Sequence, residues 1–496
     1  MEANSDICLV VEGCYPYVTG GVSSWLQWLI ENLKGFSFSM VALITKEMKA
    51  KKKKYRFPSN VVSYQEYVIF DDNEIERSQK RKLSRKKWQA MSDSLFRLMK
   101  EWKQARLSDE SLQFLREITM RQSPNIFRNF LEDERAFALM TRIYQDSRGD
   151  CGFVKYFYNF RSIHRILFRM VSIVGKLPVA PIYHTPGTGY AGLVACLRSH
   201  LYGGASVITE HGIYLQEREM ELLKSGWLDT PYLRSMWIDM FTAICRWQYS
   251  ICNRLITLTQ INKGLQVDYG AAPERIRVIP NGIDIDRFKP ARRLRCIGSP
   301  KTISFVGRID SVKDVKTLIQ AISIVKKAYP EMRCLVIGPY DEQPEYFKEC
   351  SDLVSMLDLK GTVSFTGRSN VLDYYKETDL LLLTSIKEAM PLAVMEAMAA
   401  GIPVVATSVG ACSELLLGND DGIGQAGMVT RVMDAEGIAV ASIRILKDPS
   451  LANKMARNGI ARIERLYREE LVIDQYEQIY REILDGRCDL SVGAAS

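Results

Sequence analysis

The sequence contains eleven cysteines but no CxxC pair. That pattern argues against a disulfide framework or a zinc site. Cys8, Cys14, Cys151, Cys196, Cys245, Cys252, Cys296, Cys334, Cys350, Cys412 and Cys488 are scattered as small hydrophobes of a reducing compartment would be. There is no short-period repeat and no low-complexity tract. The opening MEANSDICLVVEG has acids where a secretory signal needs Lys or Arg, and its apolar run is only strand-length, so no signal peptide is readable. The most apolar long window is broken by Pro391, Glu396, Gly401 and Pro403, which argues against a membrane span. A cytoplasmic protein is expected.

What is present is ordinary for a globular chain: 496 residues, 47% hydrophobic and 25% charged, enough for two or three domains. The net charge of +8 is concentrated in KEMKAKKKKYR (46–56) and RSQKRKLSRKK (77–87). These clusters read as a solvated loop and helix face, or as contacts to anionic lipid headgroups or an acidic partner. They lack the stacking aromatics and glycine pattern of an RNA-binding module, so nucleic acid is not expected as a partner.

Along the chain, Ile7–Val11 reads as a buried strand, followed by a loop with Gly20 and Gly21. An amphipathic helix bearing Trp25, Leu26, Trp28, Leu29, Ile30 and Leu33 comes next, closed by Gly35. FSFSMVALIT is a second strand, completing a βαβ unit. Residues of about 65–175 are charged and leucine-rich with few strand signals, and are read as a helical insertion. Sheet logic resumes at APIYHTPGTGYAGLVACLRSH, ASVITEHGIYLQERE and RLITLTQINKG, each a strand followed by a loop. From TISFVGRID onward, a second series of strands and helices predicts another doubly wound sheet. The two Rossmann-like sheets are expected to face a cleft.

KEAMPLAVMEAMAAGIPVV (387–405) is nearly all apolar yet carries two carboxylates. Pro391 suits the first position of a helix and Gly401 its end, which puts Glu388 on the preceding loop and Glu396 about two turns in. A helix N-terminus with unpaired N–H groups suits phosphate, and carboxylates beside it suit vicinal hydroxyls. Arg308 and Lys313, in GRIDSVKD after a strand, fall at the same sheet edge and suit a diphosphate. The implied ligand is a nucleotide sugar.

These motifs resemble those of the retaining GT-B glycosyltransferases of family 4. Glu388 and Glu396 match the E-x7-E motif, GRIDSVKD the phosphate loop, VIPNGIDIDRF the linker before the second domain, and TGGVSSWLQWL the N-terminal glycine loop. The opening EGCYPYVTGG, TEHGIYLQERE and the long insertion are similar to the branch that serves Pel exopolysaccharide synthesis. The resemblance implies an α/β GT-B fold: an N-terminal domain (1–285, insertion about 65–175), a nucleotide-sugar domain (286–468) and a helix and tail (469–496) crossing back, with a hinge near Pro280–Pro290. It implies transfer of a hexose or N-acetylhexosamine from a UDP-sugar to a growing exopolysaccharide, beside inner-membrane synthase or export components.

By the same resemblance Arg308 and Lys313 hold the diphosphate, Glu396 the ribose and Glu388 the donor hexose. Ala389, Met390, Pro391 and Leu392 line the donor, and Gly20 and Gly21 admit the phosphates. His211 reaches the donor sugar near the reacting carbon. His184, Glu210 and Glu217 are acceptor-side candidates, whereas His164 and His200 carry no expected role. No cofactor and no metal are implied, because cationic side chains replace the ion. Asp284 and Asp286 spell a D-x-D metal motif but fall in the linker. A nucleotide-sugar epimerase and a non-catalytic UDP-sugar-binding subunit remain alternatives. The tail GRCDLSVGAAS reads as disordered.

Overall fold

Strands form where aliphatic and β-branched residues run without polar interruption. Ile7–Glu12, Phe38–Ile44, Ala205–Glu210 and Leu380–Leu383 are buried along almost their whole length. Strands buried on both faces belong to parallel sheets covered by helices on either side. The computed structural model describes residues 4–70, 84–120, 133–147, 150–294 and 300–486. It contains two compact units, one built from the chain up to Val278 together with residues from Tyr476 onward, the other from Ile279–Gln475.

In chain order the first unit comprises β1 (Ile7–Glu12), α1 (Gly21–Asn32), β2 (Phe38–Ile44), β3 (Val61–Val68), α2 (Arg85–Lys103), α3 (Asp109–Met120), α4 (Glu134–Ser147), α5 (Phe153–Val174), β4 (Ile182–Thr185), α6 (Tyr190–Tyr202), β5 (Ala205–Glu210), α7 (Tyr214–Lys224), α8 (Pro231–Ile251), β6 (Arg254–Thr257), α9 (Gln260–Asp268) and β7 (Ile276–Val278). Its seven strands lie in the order β3-β2-β1-β4-β5-β6-β7, all paired in parallel. The second unit comprises α10 (Ile285–Phe288), β8 (Thr302–Val306), α11 (Val315–Ala328), β9 (Arg333–Ile337), α12 (Pro344–Met356), β10 (Val363–Gly367), α13 (Val371–Tyr375), β11 (Leu380–Leu383), α14 (Leu392–Ala399), β12 (Val404–Thr407), α15 (Cys412–Leu417), β13 (Gly427–Thr430), α16 (Ala435–Lys447), α17 (Pro449–Leu466) and the start of α18 (Glu469–Leu484). Its strand order is β10-β9-β8-β11-β12-β13, again parallel. In both sheets the order reverses beside the first strand of the unit, between β1 and β4 and between β8 and β11. The C-terminal ends of strands at such a reversal form a natural ligand crevice.

The structure departs from the sequence reading in several places. The expected insertion begins inside β3, whose half-buried VVSYQEYV forms the edge of the sheet. Mixed tyrosine, glutamate and valine read poorly as a strand because one face of an edge strand is wet. The segment after β5 is not loop but the paired helices α7 and α8. Helices α2 to α5 do not form a separate layer with its own core. Trp88, Leu95, Leu115 and Ile163 belong to the same apolar cluster as Val10, Val41 and Ile208 of the sheet. Arg169 of α5 is buried and donates from Nε to the Val68 carbonyl at 3.0 Å, tying the helical segment to the end of β3. The periodic C-terminal stretch is two helices, α17 and α18, parted at Tyr467. Of the second basic cluster only residues 84–87 are described, and the tail from 487 lies outside the described residues. Among the described residues no helix is long and apolar enough to cross a membrane.

A buried arginine organises the second unit. Arg462 of α17 is 0% exposed. It donates to Asp421 (2.6 and 3.2 Å) and to the carbonyls of Leu415 (2.8 Å) and Gly424 (2.6 Å). Removing one partner of a buried pair strands the other. Arg462→Leu is therefore expected to destabilise this unit by about 3–5 kcal/mol, measured as a drop in the urea midpoint, and Asp421→Asn in the same chain should restore part of the loss.

Candidate functional site

In the second unit the loops leaving β8 and β11 meet at the C-terminal edge of the sheet. Asp310 shapes the first loop by accepting from the N–H groups of Val312 and Lys313 (3.0 and 2.9 Å). Asp314 then takes a left-handed conformation (φ 47°), which Asp tolerates better than most residues, and caps α11 through Thr317 N–H (3.3 Å). Between them Lys313 is aimed across the sheet edge. Thr384 Oγ1 donates to the Lys313 carbonyl (2.9 Å) and Ile386 N–H to that of Val312 (2.8 Å), so the two loops are stitched together. The Lys313 ammonium lies 2.5 Å from Glu388 Oε1, which also accepts from Ser385 Oγ (2.7 Å). Both members are largely buried, at 20% and 12% exposed. Arg308 stands outside this pair, 55% exposed, held at 2.9 Å by Glu342 and 3.4 Å by Asp310.

The Glu388–Ala389 backbone is backed by Gly410, in the left-handed region at φ +48°. A Cβ there would lie 2.3 Å from the Ala389 carbonyl and 2.4 Å from that of Glu388, so the position demands glycine. Pro391 is the residue before α14 rather than its first, and the helix has no side-chain cap. Val394 N–H donates to the Pro391 carbonyl (3.1 Å), so the N–H groups of Leu392 and Ala393 are the ones left to water or an anion. Met390 is buried and its sulfur accepts from Asn281 N–H (3.3 Å), while Leu392 is exposed. Glu396 lies one turn into α14, closer to the N-terminus than expected, because the helix starts at Leu392 and is short. Its Oε2 accepts from Tyr375 Oη at 3.3 Å. Burial pushes its carboxyl up to about 6, opposed by the Arg287 charge and the Tyr375 hydrogen bond. One residue absent from the sequence reading is Tyr340, on the loop after β9. It stacks on Phe347 (4.2 Å between centroids, 13° between planes) and stays 40% exposed, a flat platform at the same edge.

In the first unit a cavity of about 350 Å³ opens at the C-terminal edge of β1, β4 and β5, lined by Glu12, Thr188, His211, Tyr214, Glu217 and Arg218 among others. Glu12 has no counterpart in the sequence reading. Its carboxylate accepts from the N–H groups of Tyr190 and Ala191 at the start of α6 (2.9 and 3.2 Å) and from Tyr214 Oη (3.2 Å). An acid closing the apolar run ICLVVE was the available signal. Burial raises its carboxyl, against the pull of Arg218 and these donors.

The acceptor-side candidates separate on geometry. Glu210 is 1% exposed and accepts from Tyr249 (2.6 Å), Gln266 (2.7 Å), Thr188 (2.9 Å) and Tyr214 N–H (3.2 Å), so its capacity is used by the fold. His184 is 0% exposed, bridging Tyr480 of α18 (2.5 Å) and Thr209 of β5 (2.9 Å). It anchors the C-terminal helix. Glu217 is exposed and leans over Gly212. His211 lines the cavity edge-on to Trp25 (4.5 Å), and its buried Nε2 has no hydrogen-bond partner. Gly20 is extended and Gly21 opens α1. A Cβ at either would meet nothing within 4 Å, so the fold itself does not require glycine there. In the linker Asp284 caps α10 through Arg287 N–H (3.1 Å) and Asp286 pairs with Lys289 (2.5 Å).

Residues 5–274 match the family described as Domain of unknown function (DUF3492), and residues 288–462 match Glycosyl transferases group 1. The chain is 29% identical over 247 residues to N-acetyl-alpha-D-glucosaminyl L-malate synthase of Bacillus anthracis, covering 50% of this chain and 60% of that one. It spans about half to two thirds of the length of the curated relatives it matches. Among solved structures it is similar to sucrose-phosphate synthase from Thermosynechococcus elongatus (TM-score 0.59, 17% identity, 97% of this chain and 99% of that one). It is also similar to Anabaena Alr3699/HepE in complex with UDP and glucose (TM-score 0.58, 14% identity, 96% and 100%). The fold is that of the GT-B glycosyltransferases.

The fully buried His184 and the half-buried His211 make a measurable prediction. Burial holds His211 down at about 4, and burial with the neighbouring His211 holds His184 down at about 3. Unfolded, both titrate near 6.5. Stability is therefore full above about pH 6.5 and declines as pH falls toward 4, by up to about 1.4 kcal/mol per pH unit for each histidine. The raised carboxyls of Glu12 and Glu210 act in the opposite sense. The difference between wild type and His211→Gln isolates one imidazole, and the variant should show the shallower loss of urea stability between pH 7 and 5.

Proposed function

Because the chain belongs to the family described as Domain of unknown function (DUF3492) and carries a glycosyl transferases group 1 domain, we propose that it is a retaining, metal-independent glycosyltransferase. It moves a hexose or N-acetylhexosamine from a UDP-sugar to a growing exopolysaccharide of the Pel type. The observation that carries this reading is the Lys313–Glu388 pair at 2.5 Å, beside the uncapped start of α14.

In the free protein these two charges neutralise one another. An arriving diphosphate offers Lys313 a better-matched anion, and Glu388 is released toward the hydroxyls of the donor sugar. Arg308, exposed and able to swing from Glu342, adds a planar fork to the departing phosphate. The α14 N–H groups supply fixed dipoles at the same point. Glu396, ionised above about pH 6, accepts from the ribose hydroxyls, and Tyr340 offers its face to the base. The bond from the anomeric carbon to the UDP oxygen breaks through an oxocarbenium-like state, and the acceptor oxygen bonds on the same face while its proton passes to the leaving phosphate. Electrostatic support of the leaving group supplies most of the catalysis. His211, kept neutral, offers Nε2 to a substrate hydroxyl rather than a charge. The solved complex of Anabaena HepE with UDP favours a nucleotide-sugar donor. The exposed cations Lys49, Lys51, Lys52, Lys53, Lys54 and Arg56 suit a peripheral position at the inner membrane, beside synthase or export components.

Calorimetric titration in EDTA is expected to show UDP bound in preference to GDP and ADP. UDP-glucose or an N-acetylated relative should bind more weakly as pH falls through about 6 in wild type, with the dependence flattened in Glu396→Gln. UDP-sugar binding without turnover would move the non-catalytic UDP-sugar-binding subunit ahead of this reading, and absence of nucleotide binding would overturn the donor site. In a turnover assay, Arg308→Ala and Lys313→Ala should each lower the rate by roughly 10–100-fold, whereas EDTA should leave it intact. Loss of activity in EDTA would return Asp284 and Asp286 to consideration as metal ligands.

A further inference from the structure

The histidines of β4 and of the turn after β5 are held in different ways. His184 is fixed at both ring nitrogens, Nδ1 by Tyr480 Oη (2.5 Å) and Nε2 by Thr209 Oγ1 (2.9 Å). At His211 the Nε2 makes no hydrogen bond. The last torsion of a histidine is broad and roughly two-fold, so rotamer preference alone does not set the plane of its ring. A hydrogen bond made by that ring weakens steeply as its angle closes, and the plane therefore matters to whatever the imidazole meets.

The ring lies against Trp25 of α1, at 4.5 Å between centroids and 71° between planes. Aromatic pairs favour this arrangement because a positive ring edge meets a negative face. Trp25 is 9% exposed and is itself held by two further rings. It meets His184 edge-on (5.9 Å, 83°) and Tyr476 of α18 at a tilt (5.7 Å, 60°). The Tyr476 hydroxyl interacts with the Trp25 side chain and with Thr209 Oγ1 (3.5 Å), the same hydroxyl that fixes His184. Contacts thus run from α18 through Tyr476 and Trp25 to the His211 imidazole. Of these rings only His211 lines the cavity at the edge of β1, β4 and β5.

We propose that Trp25 and Tyr476 are positioning residues for His211: the indole sets the plane of the imidazole, and Tyr476 sets the indole. This rests on the reading of His211 as a group that meets substrate, and it adds the means by which that group is aimed. Neither Trp25 nor Tyr476 touches the reacting atoms, and both act through the ring. A leucine at position 25 would fill much of the same space but has no face to hold a ring in one plane.

The test follows release of UDP from UDP-glucose and UDP-N-acetylglucosamine by the full chain, with a second readout on the imidazole itself. Trp25→Leu should lower the maximal rate by about three- to tenfold, the size of one edge-to-face contact, while UDP binds as in wild type. Trp25→Phe, which keeps a ring, should recover part of that loss. In a His211→Ala background Trp25→Leu should cost nothing further, because its effect passes through the missing ring. A loss that persists in that background marks a merely structural tryptophan and overturns the proposal. The chain has four histidines, and NMR of isotope-labelled histidine resolves His211 by its disappearance in His211→Gln. Trp25→Leu should broaden or split the His211 signal as the ring gains a second orientation, while those of His164 and His200 stay unchanged. A single unshifted His211 signal overturns the proposal. Where Trp25→Leu does not fold, Tyr476→Phe, which keeps its ring, carries both comparisons. If wild type releases no UDP from either donor, the glycosyltransferase reading fails, and the NMR result still decides whether Trp25 orients the imidazole.

Discussion

Strands buried on both faces leave a protein few places for polar chemistry. In both sheets every strand pairs in parallel, the backbone groups are spent on the ladder, and the side chains of β1, β2, β5 and β11 point into apolar surroundings above and below. Along these four strands charge enters only where the chain leaves the strand, at Glu12 of β1 and Glu210 of β5. Glu12, Glu210, Arg308 and Glu388 all stand at or just beyond a C-terminal strand end, and the helices that follow bring their unpaired N–H groups to the same edge. The position of the candidate site is a consequence of this exclusion, before any question of which ligand it holds.

At each edge the charges are already answered from within. Glu12 occupies the start of α6, Glu210 takes four donors, and Lys313 and Glu388 hold each other. The two arrangements differ in what a ligand could displace. Glu210 is sealed, and losing any donor would leave a buried carboxylate short of partners. The Lys313–Glu388 pair keeps some solvent access and lies beside an uncapped helix, so an anion can replace one partner without leaving the other stranded. A neutral His211 with an open Nε2 fits a hydrogen-bonding role and not a proton reservoir at pH 7, since burial disfavours its cation.

The helices between β3 and β4 show how a long insertion becomes part of the first core. Their apolar faces join the cluster built on the strands, and Arg169 donates to the carbonyl of Val68 at the end of β3. Packing is incomplete where α5 faces α8.

Much of the fold was legible from the sequence alone. Uninterrupted apolar runs such as ICLVV and LLLL named the buried strands, Pro391 and Gly401 bracketed α14, and the spacing of Glu388, Glu396, Arg308 and Lys313 pointed to one sheet edge. These signals are local, and local propensity and periodicity carry them. Mixed segments were not legible: VVSYQEYV is an edge strand, and the residues after β5 form two helices, the first of which buries only Leu215 and Leu222 and so carries a weak apolar period. Partnership was wholly out of reach. That His184 bonds Tyr480 across 296 positions, that Glu210 is saturated while Glu388 has Lys313, and that Glu12 sits on the start of α6 depend on which distant side chains the parallel order brings together. The sequence determined which residues could carry chemistry and on which edge. Tertiary structure decided which of them were already satisfied by the fold, because hydrogen-bond and charge partners at long separation are set by strand order and burial, and neither is written in any short stretch of chain.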